Sequence, residues 1–381
     1  MDKVVIVMPA YNEVANMDPM IHKLFDNVFP QIKGVEMHLL VVDDFSPDGT
    51  GAVVKKYQSK FKNLHLIQKQ REGLGWAYVK GFRYAMNKLG ADAVMEMDAD
   101  FQHPPRFIIP MVNAYINGAD YVIGSRYVKG GSVPKEWAAS RKAVSYFGNL
   151  FIQVCLLNFK IHDFTTGFRL MRVRNVLDKI DLEHLMHLER FAYKTDLLYQ
   201  CLKSSKKTIE VPLEFAARTK ENSKFNWKEM ISNFQVAIIL GIKDKQRFIK
   251  FGVVGFVGYL INAITLKILT GLNSPNLVAW SLPVELSIIS NFILNNTWTF
   301  KSEEIKGFAA IVKKFLTFNG TSLGALLIQT IAGIVSDKLL GTDARQITLP
   351  FIIVVLVLPF NYLMYNLVIW KTWKLPWGKK N

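Results

Sequence analysis

Cysteine is nearly missing from this chain: Cys155 and Cys201 are the only two, and their spacing suits no metal site. A disulfide scaffold and a zinc ribbon are therefore excluded, and both residues read as reduced thiols, with the water-exposed parts expected to face the cytoplasm. Charge is scarce as well. Only 20% of the residues are charged and 50% are hydrophobic, against about a quarter charged in an ordinary soluble domain. Disorder and a collagen-like fibre are excluded on that ground. Acids are the scarcer sign, 31 against 47 Lys and Arg, for a net charge of +16. That surplus points to an anionic partner such as a phosphate-bearing substrate or an acidic membrane face. Nucleic acid is set aside, because the basic residues form no platform interleaved with aromatics.

Long apolar runs are absent from the first part and dominate the last. Up to about residue 245 the text is that of a soluble domain, and Met1-Asp2-Lys3 leads straight into a strand-like run, so no signal peptide is expected ahead of it. Phe251–Thr270 carries one charge (Lys267), Asn276–Phe300 one (Glu285), and Phe315–Val335 and Ile347–Trp370 none. A bilayer is crossed by roughly 20 apolar residues. Four transmembrane helices are expected, at about 251–270, 276–296, 315–335 and 347–370. Lys301, Lys306, Lys313 and Lys314 fall between the second and third, and Lys371, Lys374, Lys379 and Lys380 follow the fourth. By the positive-inside tendency both termini and the soluble domain lie on the cytoplasmic face of a multi-pass membrane protein. Residues 226–246 form the join: Met230, Ile231, Phe234, Ile238 and Ile242 recur at helical spacing, and Lys243, Lys245, Arg247 and Lys250 follow. This reads as an interfacial amphipathic helix with a basic collar. Gly252, Gly255 and Gly258 permit close helix contact, including dimerisation through the membrane part.

Residues 1–225 alternate strands and helices. Strand-like runs fall at Lys3–Met8, Val35–Val42, Leu64–Gln68, Ala93–Met97 and Tyr121–Ile123, which implies a parallel-rich α/β sheet. Ligands of such sheets gather at the carboxyl ends of the strands. After the first strand stands Pro9–Glu13 (PAYNE), after the second Asp43–Thr50, after the fourth Asp98–Pro105 (DADFQHPP), after the fifth Gly124–Tyr127 (GSRY). Asp98 and Asp100 are alternate residues just past a strand and can face one point. Two carboxylates so close call for a cation between them. Mg²⁺ or Mn²⁺ suits them, with Gln102 as a third oxygen, and such an ion also binds a diphosphate. His103 reads as a structural turn residue. Asp43 and Asp44 point opposite ways in an extended chain, one free to accept a bond from a nucleoside, the other capping the turn. Arg126 follows the fifth strand, Arg141 and Ser145 share one helix face suited to a phosphate, and Arg218 and Lys224 lie in a polar loop.

These strings, with EGLGWAYVKGF (Glu72–Phe82), IGSRYVKGGSV (Ile123–Val133) and TGFRLMR (Thr166–Arg172), resemble the polyprenyl-phosphate glycosyltransferases of the inverting GT-A class, the dolichol-phosphate mannose synthases being the nearest branch. Residues 247–381 resemble the GtrA-like four-helix membrane domain through RFIKFGVVGFVGYLIN, NFILNNTWTF and KKFLTFNG. The resemblance implies a Rossmann-like α/β GT-A domain followed by an all-α transmembrane domain. It assigns the donor nucleotide sugar to Pro9, Tyr11, Glu13, Val42, Asp43, Asp44, Asp98, Ala99, Asp100, Gln102, Arg218 and Lys224. It assigns the metal to Asp98, Asp100 and Gln102, the acceptor phosphate to Arg126, Arg141 and Ser145, and catalysis to Asp100, Arg126 and Arg218. The implied reaction is transfer of mannose from GDP-mannose to a membrane polyprenyl (dolichyl) phosphate with inversion. UDP-glucose as donor, or a non-enzymatic lipid flippase or scaffold, are the alternatives. A processive polysaccharide synthase is set aside, since no Gln-x-x-Arg-Trp occurs.

Overall fold

The computed structural model describes residues 1–217, 227–272, 274–340, 348 and 351–373, and the chain divides into two compact units, Met1–Gly241 and Ile242–Asn381. In the first unit β1 (Asp2–Ala10), α1 (Val14–His22), β2 (Val35–Asp43), α2 (Thr50–Gln58), β3 (Leu64–Gln68), α3 (Leu74–Asn87), β4 (Ala93–Glu96), α4 (Ile108–Ile116) and β5 (Tyr121–Ser125) follow in turn. Then come α5 (Ala139–Leu156), β6 (Arg169–Arg172), α6 (Tyr193–Ser204), β7 (Thr208–Pro212) and α7 (Trp227–Gly271), whose first turns belong to this unit. The five expected strands are present. β6 and β7 were not expected; β6 (RLMR) holds no β-branched residue and runs antiparallel between β4 and β5.

The sheet order is β3-β2-β1-β4-β6-β5-β7. The chain builds outward from β1 through β2 and β3, then returns to the other side of β1 with β4, so the topological switch lies between β1 and β4. Each strand near the centre is buried on both faces. Val5 and Val7 of β1 join a core with Tyr78 and Phe82 of α3, Ile152 of α5, Leu197 of α6 and Val236 of α7. Val4, Ile6 and Met8 point the other way, into a core with Met17, Met20, Val54, Ile108 and Met111. Helix α3 approaches the sheet closely because Gly81 faces it: a Cβ there would collide with Val7 Cγ1 and lie 3.0 Å from Val42 Cγ2.

The second unit holds the rest of α7, α8 (Asn276–Leu294), α9 (Phe308–Leu340) and α10 (Leu358–Met364), with π-helical turns at Asn295–Thr299, Ile353–Val357 and Tyr365–Ile369. Its core is aromatic: Phe300 stacks on Trp370 at 4.3 Å, and the Trp370 indole N–H donates to Asn296 Oδ1 at 3.1 Å. Large apolar side chains such as Phe256, Tyr259, Leu323, Leu327 and Ile331 are exposed, the arrangement of a protein whose solvent there is lipid. Among the described residues, helices overlap each of the four stretches expected to span, the start of the fourth lying outside them. Among the described residues one helix, over Trp227–Leu269, is both long and apolar enough to cross a bilayer, and Val354–Ile369 is a shorter apolar helix. The helix expected over 226–246 does not stop before the first span; α7 runs through both. Of the three glycines in that span, Gly258 meets a neighbour, Asn291 of α8, while a Cβ at Gly252 or Gly255 would meet nothing within 4 Å.

Candidate active site

A cavity of about 680 Å³ opens at the carboxyl ends of β1 and β4, where the strand order reverses. Three of the loops that form this end of the sheet turn through a left-handed residue that is not glycine: Asn12 after β1 (φ 58°), Phe45 after β2 (φ 49°) and Phe101 after β4 (φ 60°). Such backbone is uncommon and gathers at functional sites. Pro9, Tyr11 and Glu13 line the cavity from the first loop, Asp44 from the second, Asp98, Ala99, Asp100 and Gln102 from the third, Arg126 from β5's end and Arg141 from α5.

Asp98 and Asp100 both reach the cavity, as alternate residues should. The Tyr78 hydroxyl donates to Asp98 Oδ1 at 2.8 Å. Burial holds the Tyr78 phenol well above its ordinary range and the Asp98 charge adds to this, so the hydroxyl keeps its proton. Asp100 Oδ1 accepts the Gln102 backbone N–H at 3.1 Å. Two carboxylates and a carboxamide oxygen fit a hard divalent cation. Among the described residues no group of three or more His, Cys, Asp or Glu could enclose a metal by itself. An ion here would complete its shell with water and substrate oxygens. His103 also borders the cavity, but its ring is 1% exposed, stacks on Phe168 at 5.0 Å and accepts the Asp98 N–H at 3.2 Å, a structural role.

Arg126 is the best-held cation of the site. Its Nε and Nη2 donate to the two oxygens of Asp163, each at 2.7 Å, and its backbone N–H adds a third bond at 3.0 Å. Nη2 also donates to Thr165 Oγ1 at 2.7 Å. Burial would raise the Asp163 carboxyl, but the Arg126 charge and hydrogen bonds outweigh it and hold it below the usual carboxylate range. Arg141 lies over the Trp137 ring at 3.9 Å.

Three expected site residues do not line the cavity. Val42 is fully buried between α3 and the sheet. Asp43 is fully buried too, its oxygens accepting from Ser46 N–H at 3.1 Å and Gln68 at 2.8 Å, so it is the turn-capping member of the Asp pair. Ser145, one turn beyond Arg141 on α5, accepts the Tyr127 hydroxyl at 2.6 Å and is not among the residues that line the cavity. Arg218 and Lys224 lie outside the described residues. The structure adds Arg71, stacked on Tyr11 at 4.0 Å, together with Trp137, Thr166-Gly167 and Glu189–Phe191. Thr166-Gly167 belongs to a string the sequence had singled out without a role. Arg71 directly precedes another such string and carries no signal of its own.

Residues 5–179 match the family described as Glycosyl transferase family 2, and residues 250–370 match the GtrA/DPMS transmembrane domain. The chain is 31% identical over 332 residues to the dolichol-phosphate mannosyltransferase of Pyrococcus furiosus, which covers 86% of this chain and 89% of that one. It is 35% identical to the polyprenol monophosphomannose synthase of Mycolicibacterium smegmatis, over 59% of this chain and 81% of that one. To the undecaprenyl-phosphate mannosyltransferase of Micrococcus luteus it is 33% identical, over 59% and 88%.

Proposed function

Because the chain belongs to the polyprenyl-phosphate mannosyltransferases, glycosyltransferases with a family 2 catalytic part and a GtrA/DPMS membrane part, we propose that it moves a mannosyl residue from GDP-mannose to the phosphate of a membrane polyprenyl lipid. The observation that carries the reading is one cavity holding the Asp98/Asp100 pair and the anchored guanidinium of Arg126. The first suits a nucleotide diphosphate with its cation, the second an acceptor phosphate.

In this reading a lipid phosphate oxygen attacks the sugar's anomeric carbon as the bond from that carbon to the diphosphate oxygen breaks, and GDP departs with the bonding pair. In-line attack inverts the anomeric centre and gives a β-linked lipid phosphosugar. The nucleophile carries a charge of about −1.5 to −2 at pH 7, so no strong general base is needed. Arg126 and Arg141 orient the phosphate and balance its charge. Asp98, Asp100 and Gln102 would hold Mg²⁺ or Mn²⁺, which when bound neutralises charge on the leaving diphosphate. Pro9, Tyr11, Glu13, Asp44 and Arg71 form the wall for the nucleoside. We assign Arg218 and Lys224 to the donor phosphates, as the sequence suggests.

A lipid acceptor is further supported by the outer face of α5. Starting one turn beyond Arg141, Tyr146, Phe147, Leu150, Phe151 and Val154 are exposed, as are Trp227, Ile231 and Ile238 on the first turns of α7. A row of large apolar side chains beside a phosphate-binding arginine suits a substrate whose head is ionic and whose tail stays in lipid. We read the protein as multi-pass, with this unit and both termini cytoplasmic; the lysines of the loops support that orientation.

The test is transfer by the full chain in detergent, offering a short polyprenyl phosphate with labelled GDP-mannose or UDP-glucose, with and without Mn²⁺, beside Asp100→Ala. Metal-dependent label in the lipid phase from GDP-mannose alone, lost in the variant, is expected. Label from UDP-glucose instead replaces the donor and keeps the chemistry. Folded protein that labels no lipid from either donor overturns the reading.

A further inference from the structure

The chemistry above leaves one buried cation without a task. Lys194, in the first turn of α6, is fully buried, and its Nζ has no hydrogen-bond acceptor. Its ion pair is with Asp98, 3.6 Å from Oδ1. The ammonium lies 5.0 Å from the Tyr78 ring centre and 4.6 Å from that of Phe191. The sequence keeps this spot clear: a Cβ at Gly167, which lines the cavity, would collide with Nζ. The rest of the Thr166–Arg169 string braces the same floor, as Arg169 donates to the Lys194 carbonyl at 2.5 Å and sits 3.8 Å from the buried Glu96.

An ammonium taken out of water is costly unless it is paired, and here the pairing carboxylate is one of the two that line the cavity. The local balance matters for what can bind. Asp98 and Asp100 supply two negative charges and, among the described residues, Lys194 is the cation paired with Asp98, so a bare divalent cation entering between the carboxylates meets a repelling charge a few ångströms away. A nucleotide diphosphate brings enough negative charge to reverse that balance.

Building on the metal-dependent nucleotide-sugar reading above, we propose that Lys194 is a positioning residue, the resident counter-ion of Asp98, which holds the carboxylate in place and keeps the pair from binding a bare cation, so that metal and nucleotide diphosphate bind together. By linkage, each then raises the other's affinity by the same factor.

The test is Mn²⁺ binding to the full chain in detergent, followed by electron paramagnetic resonance of the free ion, with Mn²⁺ alone and with saturating GDP or UDP. Lys194→Met is expected to bind Mn²⁺ alone at least about tenfold tighter than the native protein, a floor set well below the full effect of a unit charge a few ångströms from a divalent ion at a protein's effective dielectric. It is also expected to gain less from the nucleotide. Gly167→Ala keeps every charge but pushes the flexible lysine head away from Asp98, and shifts Mn²⁺ binding in the same direction by a smaller factor. If Lys194→Met does not fold, Gly167→Ala decides. A merely structural lysine would leave Mn²⁺ affinity unchanged or weaken it, and either result in the folded variants overturns the proposal while the transferase reading stands. Native protein that binds no Mn²⁺ even with nucleotide overturns the metal-dependent reading and this inference with it.

Discussion

Replacing Asp163 by Asn removes one charge and almost no volume, and the geometry says how much that should cost. Oδ2 accepts from the Arg126 backbone N–H at 3.0 Å and from Nε at 2.7 Å; Oδ1 accepts from Nη2 at 2.7 Å, Thr166 N–H at 3.1 Å and Thr165 N–H at 3.3 Å. Asparagine keeps one of these oxygens and turns the other into an NH₂ donor. Whichever way the amide lies, at least two buried donors face a donor. Each unsatisfied group costs about 1–3 kcal/mol, and breaking a buried ion pair from one side costs about 3–5 kcal/mol in all, the orphaned donors included. For a unit of this size, with about 2–4 °C of melting temperature per kcal/mol, the variant should melt about 6–20 °C lower. Its KM for polyprenyl phosphate should rise tenfold or more as Arg126 loses its anchor, while the KM for the nucleotide sugar moves less. The pH dependence supplies a control. The folded Asp163 carboxyl is held below its ordinary value, so its contribution is complete above about pH 4 and is lost only as pH falls through the folded value. The gap between native protein and variant should therefore be constant from pH 5 to 8. Melting followed by intrinsic fluorescence in detergent, with initial-rate kinetics, tests both halves. A melting point within 2 °C of native together with an unchanged acceptor KM refutes the argument that Asp163 holds Arg126.

Gly81→Ala forces a methyl into Val7 and Val42 under α3, an overpacking expected to cost about 1–3 kcal/mol and to lower the melting temperature without changing KM for either substrate. His38 and His65 stand 2.9 Å apart across β2 and β3, and burial lowers both pKa values. The unfolded chain thus takes up more protons as pH drops below about 6.5, and stability falls with it until both lowered folded values are passed; His65→Gln should flatten the melting temperature between pH 7.5 and 5. Phe147→Glu, on the exposed face of α5, is expected to slow transfer to a long-chain acceptor in vesicles several-fold and to leave transfer to a short-chain acceptor in detergent unchanged.

Much of this protein could be read from local pattern, because the physics that produces it is local. Apolar runs of bilayer length place a membrane part after residue 250, as does the match to the GtrA/DPMS domain. Five strand-like runs, four of them followed by a string of polar residues, locate the carboxyl-end loops, and Asp44, Asp98, Asp100, Gln102, Arg126 and Arg141 do line the cavity there. Parity along an extended chain separated Asp43 from Asp44; hydrogen bonds to Gln68 and Ser46 decide which of them turns away. Other features depend on contacts between distant segments and leave no trace in spacing. β6 is a strand because β4 and β5 flank it, not because Arg169–Arg172 favours one. Asp163 becomes the partner of Arg126 across 37 positions, and Ser145 that of Tyr127 across 18. Gly167 is glycine because Lys194, 27 positions on, fills the volume a side chain would need. Composition and periodicity determined β1 to β5 and the apolar runs of the membrane part, since those depend on each residue's own preference for water or lipid. Only the tertiary structure decided which charges meet, because pairing is set by packing across the sheet, and the free energy of a buried charge depends on its neighbours in space.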